Sequence, residues 1–152
     1  MRICARTAVV AVILASEIMA PLLAEGAELP VLELGAGIHV IRAEVAYTFA
    51  ARAQGLMRRE RLQANQGMLF VFRELDRPCM WMKNTPLPLS VAFVDQSGLI
   101  INIEDMVPQT ETSHCAGAPA RFALEMSLGW FKKHGIAAGM QLQGLERAPA
   151  PQ

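Results

Sequence analysis

The run GMLFVF (67–72) is apolar at every position after its glycine. A short run rich in Phe and Val, with no polar face, reads as a strand covered on both sides. A sheet wetted on one side would alternate polar and apolar residues, so this run predicts a closed or sandwiched sheet. The chain that follows agrees. LSVAFVDQSGLIINIEDM (89–106) sets two apolar segments around Asp95, Gln96, Ser97 and Gly98, a good turn signature, and predicts a β-hairpin. Val91 and Phe93 share one face of it, and Ile101 and Ile103 have the spacing to pair near them. RFALEM (121–126) and MQLQGL (140–145) predict further strands. SLGWFKKHGI (127–136) predicts a short helix between them, with Lys132, Lys133 and His134 at its C-terminal end and Gly135 beyond.

On the other side of GMLFVF, IHVIRAEVAYT (38–48) predicts a strand. Its apolar face runs through Ile38 and Val40, then Val45 and Tyr47 after a bulge-like shift. TFAARAQGLMRRERL (48–62) changes character: Thr48 suits an N-cap, FAARAQ holds helix formers, and Gly55 stops the helix. VPQTETSHCAGAPA (107–120) is a loop by composition. The fold class expected is therefore α+β and predominantly β. We expect a compact, barrel-like antiparallel sheet with one or two short helices. The single domain expected spans 38–146, after a lead-in segment (25–37) with a short edge strand, and ends in a frayed tail (147–152).

The first residues do not read as fold. Arg2 and Arg6 precede the apolar TAVVAVILAS (7–16), and EIMAPLLA (17–24) runs to small residues. This is a signal-peptide pattern, with cleavage expected near Ala24 and export to the periplasm or beyond. The apolar run falls short of the ~20 residues that span a bilayer, so no membrane span is expected in the mature protein; an uncleaved anchor is the alternative. The whole chain has 14 Lys+Arg and 14 Asp+Glu, and losing Arg2, Arg6 and Glu17 leaves a net charge near −1. That balance gives no pull toward nucleic acid or an anionic membrane. RRER (58–61) reads as a solvated helix end. Of the three cysteines, Cys4 leaves with the leader, and an even pair in an exported protein, Cys79 and Cys115, suggests a disulfide. Two free buried thiols are the alternative.

Several motifs recur in a familiar order. R-x-x-G-L-M at Arg52, Gly55, Leu56 and Met57 is followed by GMLFVF, then WMKNT at 81–85 and Pro88-Leu89. Next come I-x-x-M-x-P ending at Pro108, A-L-E at 123–125 and Gly135-Ile136. In this order the chain, over about residues 38–145, resembles the domain-of-unknown-function family 192 (DUF192), small bacterial and archaeal proteins, many with a signal sequence. The resemblance implies a compact β-rich fold and no established activity or catalytic residues. This chain has Ser90 where the family usually has aspartate, and Gly139-Met140 where it usually has Gly-Asp.

In an extended CMWMKN (79–84), Cys79, Trp81 and Lys83 face one way and Met80, Met82 and Asn84 the other. One face suits the core. The other would line an apolar wall with polar groups at its mouth, as in a small-molecule or peptide cleft. The candidate ligand-binding residues are Arg52, Met57, Trp81, Lys83, Asn84, Thr85 and Glu125. Plainer readings compete: Asn84 and Thr85 as a structural corner before Pro86, and Arg52 as a guanidinium closing carbonyls at a helix end. The seven methionines beyond the leader are scattered through apolar runs and read as core filling, not as a soft-metal tract. No G-x-S-x-G, H-E-x-x-H or phosphate loop occurs, so no catalytic set, metal or cofactor is expected. The leading expectation is an exported, monomeric binding or accessory module of the cell envelope. Its partner would be a small ligand, a glycan or an envelope protein. The rivals are an enzyme using Lys83 and Glu125 for proton transfer with Arg52 holding an anionic or glycan substrate, and a thiol-redox or soft-metal protein using Cys79 and Cys115.

Overall fold

The structure, a computed structural model, describes residues 28–152; the expected leader, with its cleavage near Ala24, lies outside the described residues. The strands in chain order are β1 (Val31–Ala36), β2 (His39–Ala46), β3 (Gln66–Asp76), β4 (Cys79–Met80), β5 (Leu89–Val94), β6 (Ile100–Met106), β7 (His114–Cys115), β8 (Ala120–Ser127) and β9 (Leu142–Gln143). Helix α1 (Phe49–Gln54) lies between β2 and β3, and α2 (Trp130–Lys133) follows β8. A 3-10 turn (Leu145–Arg147) comes last. Helix α1 forms as its composition demands: Thr48 Oγ1 accepts the Ala51 N–H at 3.1 Å, and Gly55 ends the helix with φ 48°. In the turn of the β5–β6 hairpin, Asp95 Oδ1 accepts N–H groups from Ser97 (2.8 Å) and Leu99 (2.9 Å). Burial pushes the Asp95 carboxyl up, but these bonds outweigh it and hold it below its ordinary value.

Seven strands form one sheet in the order β6-β5-β8-β3-β2-β1-β9, while β4 and β7 make a separate ladder. Every pairing is antiparallel except β2 with β3, which run parallel. A parallel pair needs a crossover, and α1 with the loop after it supplies one. The sheet curls until its ends meet at one corner. The Ile100 N–H bonds to Met140 O (2.9 Å), Gly139 N–H to Ile100 O (2.8 Å) and Leu142 N–H to Gly98 O (2.8 Å). The expected barrel-like α+β fold is thus a curled half-barrel, with a seam between β6 and the approach to β9.

GMLFVF is covered on both sides, as its composition requires. Leu69 and Val71 face inward and join Ile41, Val45, Leu124, Met126, Trp130, Phe131 and Ile136. Met68 and Phe70 face outward under a second layer with Leu56, Met82, Val91, Phe93 and Met106. Each large side chain buried this fully contributes roughly 1.5–3 kcal/mol relative to exposure. Gly67 opens the run because nothing larger fits: a Cβ there would lie 2.5 Å from Glu125 O.

Four local readings are corrected. Strand β2 pairs with β1 in unbroken register, and its inward face is Ile41, Ala43 and Val45, while Ile38 and Val40 are exposed. No bulge is present, because the alternation starts one residue later than the sequence pattern suggested. In the hairpin, Ile101 packs against the outer cluster that holds Val91 and Phe93, as expected, but Ile103 lies opposite Ala92 on the inward face, because a register shift between Phe93 and Val94 sets Glu104 opposite Val91 and Asn102 opposite Phe93. Beyond Met80, CMWMKN is not a strand: Asn84 has φ 55° and turns the chain, although Met82 stays buried and Lys83 exposed. The last residues lie back on the sheet instead of fraying, with Gln152 N–H bonded to Tyr47 O at 2.8 Å.

Candidate functional site

The outer face of the sheet carries the polar groups that the fold has most trouble accommodating. Register places Glu44 (β2), Met68 (β3), Glu125 (β8), Val91 (β5) and Glu104 (β6) in one lateral row. With strands about 4.8 Å apart, each outer glutamate lies roughly 10 Å from Glu125. The three carboxyls meet different fates. Glu44 is gripped by the Arg59 fork at 2.6 and 2.5 Å, and Gln66 Nε2 adds a bond at 3.4 Å. The same bonds raise the Arg59 pKa. Glu104 accepts Asn102 Nδ2 at 3.2 Å and meets His114 Nδ1 at 2.8 Å, where the carboxylate can only accept and the ring must donate. Glu125 is 3 % exposed, lies between Met68 and Val91, and burial alone pushes its carboxyl up to about 8.

The residues singled out in the sequence scatter over this face. Arg52 is occupied with backbone: its Nη1 donates to Tyr47 O (2.6 Å) and Val71 O (3.1 Å), and its Nη2 to Gln152 O (3.0 Å). Burial lowers its pKa. Lys83 Nζ lies 3.3 Å from Glu111 and 5.9 Å from the centre of the Trp81 ring, on a surface where that ring is half exposed. Thr85 is buried, its Oγ1 donating to Lys83 O at 3.2 Å, and Asn84 O accepts the Arg58 N–H at 2.8 Å. Met57 is half-buried beside Leu56. Arg52 is taken up by backbone carbonyls and Lys83 by Glu111, and no ion pair among the described residues joins either of them to Glu125. Cys79 and Cys115 stand opposite one another on β4 and β7 and are joined by a disulfide, with Cα atoms 4.0 Å apart. Among the described residues no three His, Cys, Asp or Glu side chains group as a metal site, and no helix there is long and apolar enough to cross a membrane.

The concavity of the outer face lies elsewhere. A groove of about 900 Å³ runs between α1, the lead into β1 and the loop before β3. Its polar lining includes Arg42, Glu44, Arg59, Gln63, Gln66 and Tyr47. Gln63 N–H bonds to Gln66 Oε1 at 3.1 Å, which fixes that amide's orientation. Sequence reading missed this groove. RRER looks like a solvated helix end, and only the tertiary crossover carries Arg59 back onto Glu44. The row of amides in LQANQ (62–66) is the one local signal that pointed here.

A match to the DUF192 family (uncharacterized ACR) spans residues 31–144. A crystal structure of a protein of unknown function from Novosphingobium aromaticivorans DSM 12444 is similar, with 33% identity and a TM-score of 0.74, over 84% of this chain and 95% of that one. A second, from Sinorhizobium meliloti 1021 and provisionally described as a transcription regulator, shows 36% identity and a TM-score of 0.70, over 75% of this chain and 92% of that one. None of the curated proteins matches the chain significantly.

Proposed function

The chain belongs to the DUF192 family, and on that premise we propose that it is an exported binding module of the cell envelope. In this reading it takes a neutral, hydroxyl- and amide-rich ligand, such as an envelope glycan, into the groove beside α1. The observation that carries the reading is the make-up of the groove. Its charges balance, with Arg42 and Arg59 against Glu28 and Glu44, so it favours neither an anion nor a cation. Beside the hydroxyl residues Tyr47 and Thr48, its neutral polar groups are Gln54, Gln63 and Gln66, planar amides that donate and accept together, as sugar hydroxyls require. The volume suits an elongated ligand at the upper end of small-molecule sites. Export is supported by the leader pattern of residues 1–24 and is compatible with the Cys79–Cys115 disulfide. The test is an NMR titration with chitotriose and, separately, maltotriose. Saturable shifts at Gln54, Gln63 and Gln66, weakened at least tenfold in Gln66→Ala, are expected; no shift there with either sugar overturns the glycan reading.

A second reading rests on the half-exposed Trp81 ring beside the Lys83–Glu111 pair. An aromatic with a charged neighbour is a common protein-contact anchor, and here the partner would be an envelope protein. Trp81→Ala would then abolish retention on envelope fractions while leaving sugar binding intact.

A further inference from the structure

The seam of the half-barrel holds a second cavity, of about 520 Å³, on the opposite face of the sheet from the groove. It lies beyond the strand-closing bonds at Ile100, between the Ile103 and Asp105 positions of β6 and the 135–138 segment. The mouth of a barrel is a common place for a small-molecule site, and the volume lies within the usual range.

The lining divides into an apolar wall and two charges. Ile103, Phe131 and Ile136 form the wall, Asp105 and Lys132 both border the space, and no ion pair joins these two among the described residues. Asp105 is held in place. It pairs with Ser90 across the hairpin, and the Ser90 hydroxyl donates to Asp105 Oδ1 at 2.5 Å while accepting the Gly129 N–H at 2.8 Å. Ser90 itself is 1 % exposed, so this prop is built into the fold and is not a surface accident. Its only proton is committed to Oδ1, which leaves Asp105 Oδ2 as a pre-oriented acceptor. Lys132 is a flexible cation on the far side.

We propose that the seam cavity binds a small zwitterion with an apolar body, of the class of a free apolar amino acid. The ligand's ammonium would meet Asp105, its carboxylate Lys132, and its side chain the Ile103–Phe131–Ile136 wall. A net-neutral ligand with separated charges matches a lining that offers one charge of each sign. Neither an amine nor a carboxylate alone does so. The site is independent of the groove, and its failure would leave the groove reading untouched.

The experiment titrates the oxidised protein with L-phenylalanine, 2-phenylethylamine and 3-phenylpropionate, following the Ile103 and Ile136 methyl resonances. Phenylalanine is expected to give saturable shifts, with the other two at least tenfold weaker. Lys132→Ala, at an exposed position that leaves folding intact, should bring phenylalanine down to the level of the amine. Asp105→Asn should weaken phenylalanine at least tenfold, and Ser90→Ala, which frees the carboxylate without removing it, several-fold. No saturable shift with phenylalanine, equal response to all three probes, or unchanged binding in Lys132→Ala overturns the proposal.

Discussion

Replacing Glu125 by glutamine should change how stability depends on pH more than it changes stability at any one pH. In the fold the carboxyl is pushed from its ordinary 4.5 up to about 8, by burial alone. The sign follows from proton counting. Below the lower value both folded and unfolded chains hold the proton, and the group's contribution is fully present. Between the two values the native state keeps a proton that the unfolded chain has released, so stability falls as pH rises, and above the higher value the loss is complete. At about 1.36 kcal/mol per pH unit, the loss reaches roughly 3 kcal/mol at neutral pH and roughly 5 kcal/mol above pH 8. Glutamine cannot ionise, so this slope vanishes in Glu125→Gln. The buried amide brings its own cost, about 1–3 kcal/mol, but that cost does not vary with pH. Urea unfolding of both proteins across the range, with the disulfide kept oxidised, isolates the group because all other titrations cancel in the difference. From about pH 5 to about pH 7.5 the variant should gain about 3 kcal/mol on the parent. A difference that stays constant across that range would refute the assignment of a buried, neutral acid at this position.

Three further variants test the fold around the site. Arg52→Met strands the Tyr47, Val71 and Gln152 carbonyls and should cost about 2 kcal/mol or more in urea unfolding, with no effect on sugar or phenylalanine titrations. Joint replacement of Cys79 and Cys115 by alanine removes a bridge across a sequence separation of 36; it should lower stability by about 3.5–4 kcal/mol in the chain-entropy account, read as a lower urea midpoint. Gly67→Ala forces a Cβ against Glu125 O and Met126 Sδ. Since the first is backbone and cannot swing aside, a loss of about 2 kcal/mol or more is expected in thermal unfolding.

How much of this was legible in the sequence depended on whether the signal was local. GMLFVF announced a strand buried on both faces because five apolar side chains in a row carried the message. Thr48 and Gly55 bounded α1 because caps are single-residue chemistry, and the Asp95 turn was readable for the same reason. The phase of β2 was not, because Ile38 and Val40 are as apolar as Ile41 and only pairing with β1 decides which set turns inward. The candidate site suffered most. Lys83, Asn84 and Arg52 are chemically plausible ligand residues, and their partners, Glu111, the Arg58 N–H and three carbonyls, come from distant or weakly patterned segments. Ser90 was noticed only as a departure from the family pattern; that it props Asp105 follows from a strand register that composition does not contain.

Glu44, Glu125 and Glu104 make the same point in physical terms. One residue type, in one row of one sheet face, becomes an ion pair at one end, a buried acid with a raised pKa in the middle and a histidine-paired carboxyl at the other. What separates them is the covering layer. Met82 and Ala116, both buried in the outer cluster, sit within a few residues of Cys79 and Cys115, and the Met82 N–H bonds to Thr110 O at 2.9 Å. The disulfide therefore braces the segments that share Glu125's apolar layer. Loosening that layer would let water reach the carboxyl and relieve part of its burial, so the costs of losing the bridge and of keeping the acid are not independent. Sites that share packing neighbours in this way couple instead of adding, and the stability of this face is a property of the bridge, the methionines and the buried acid together.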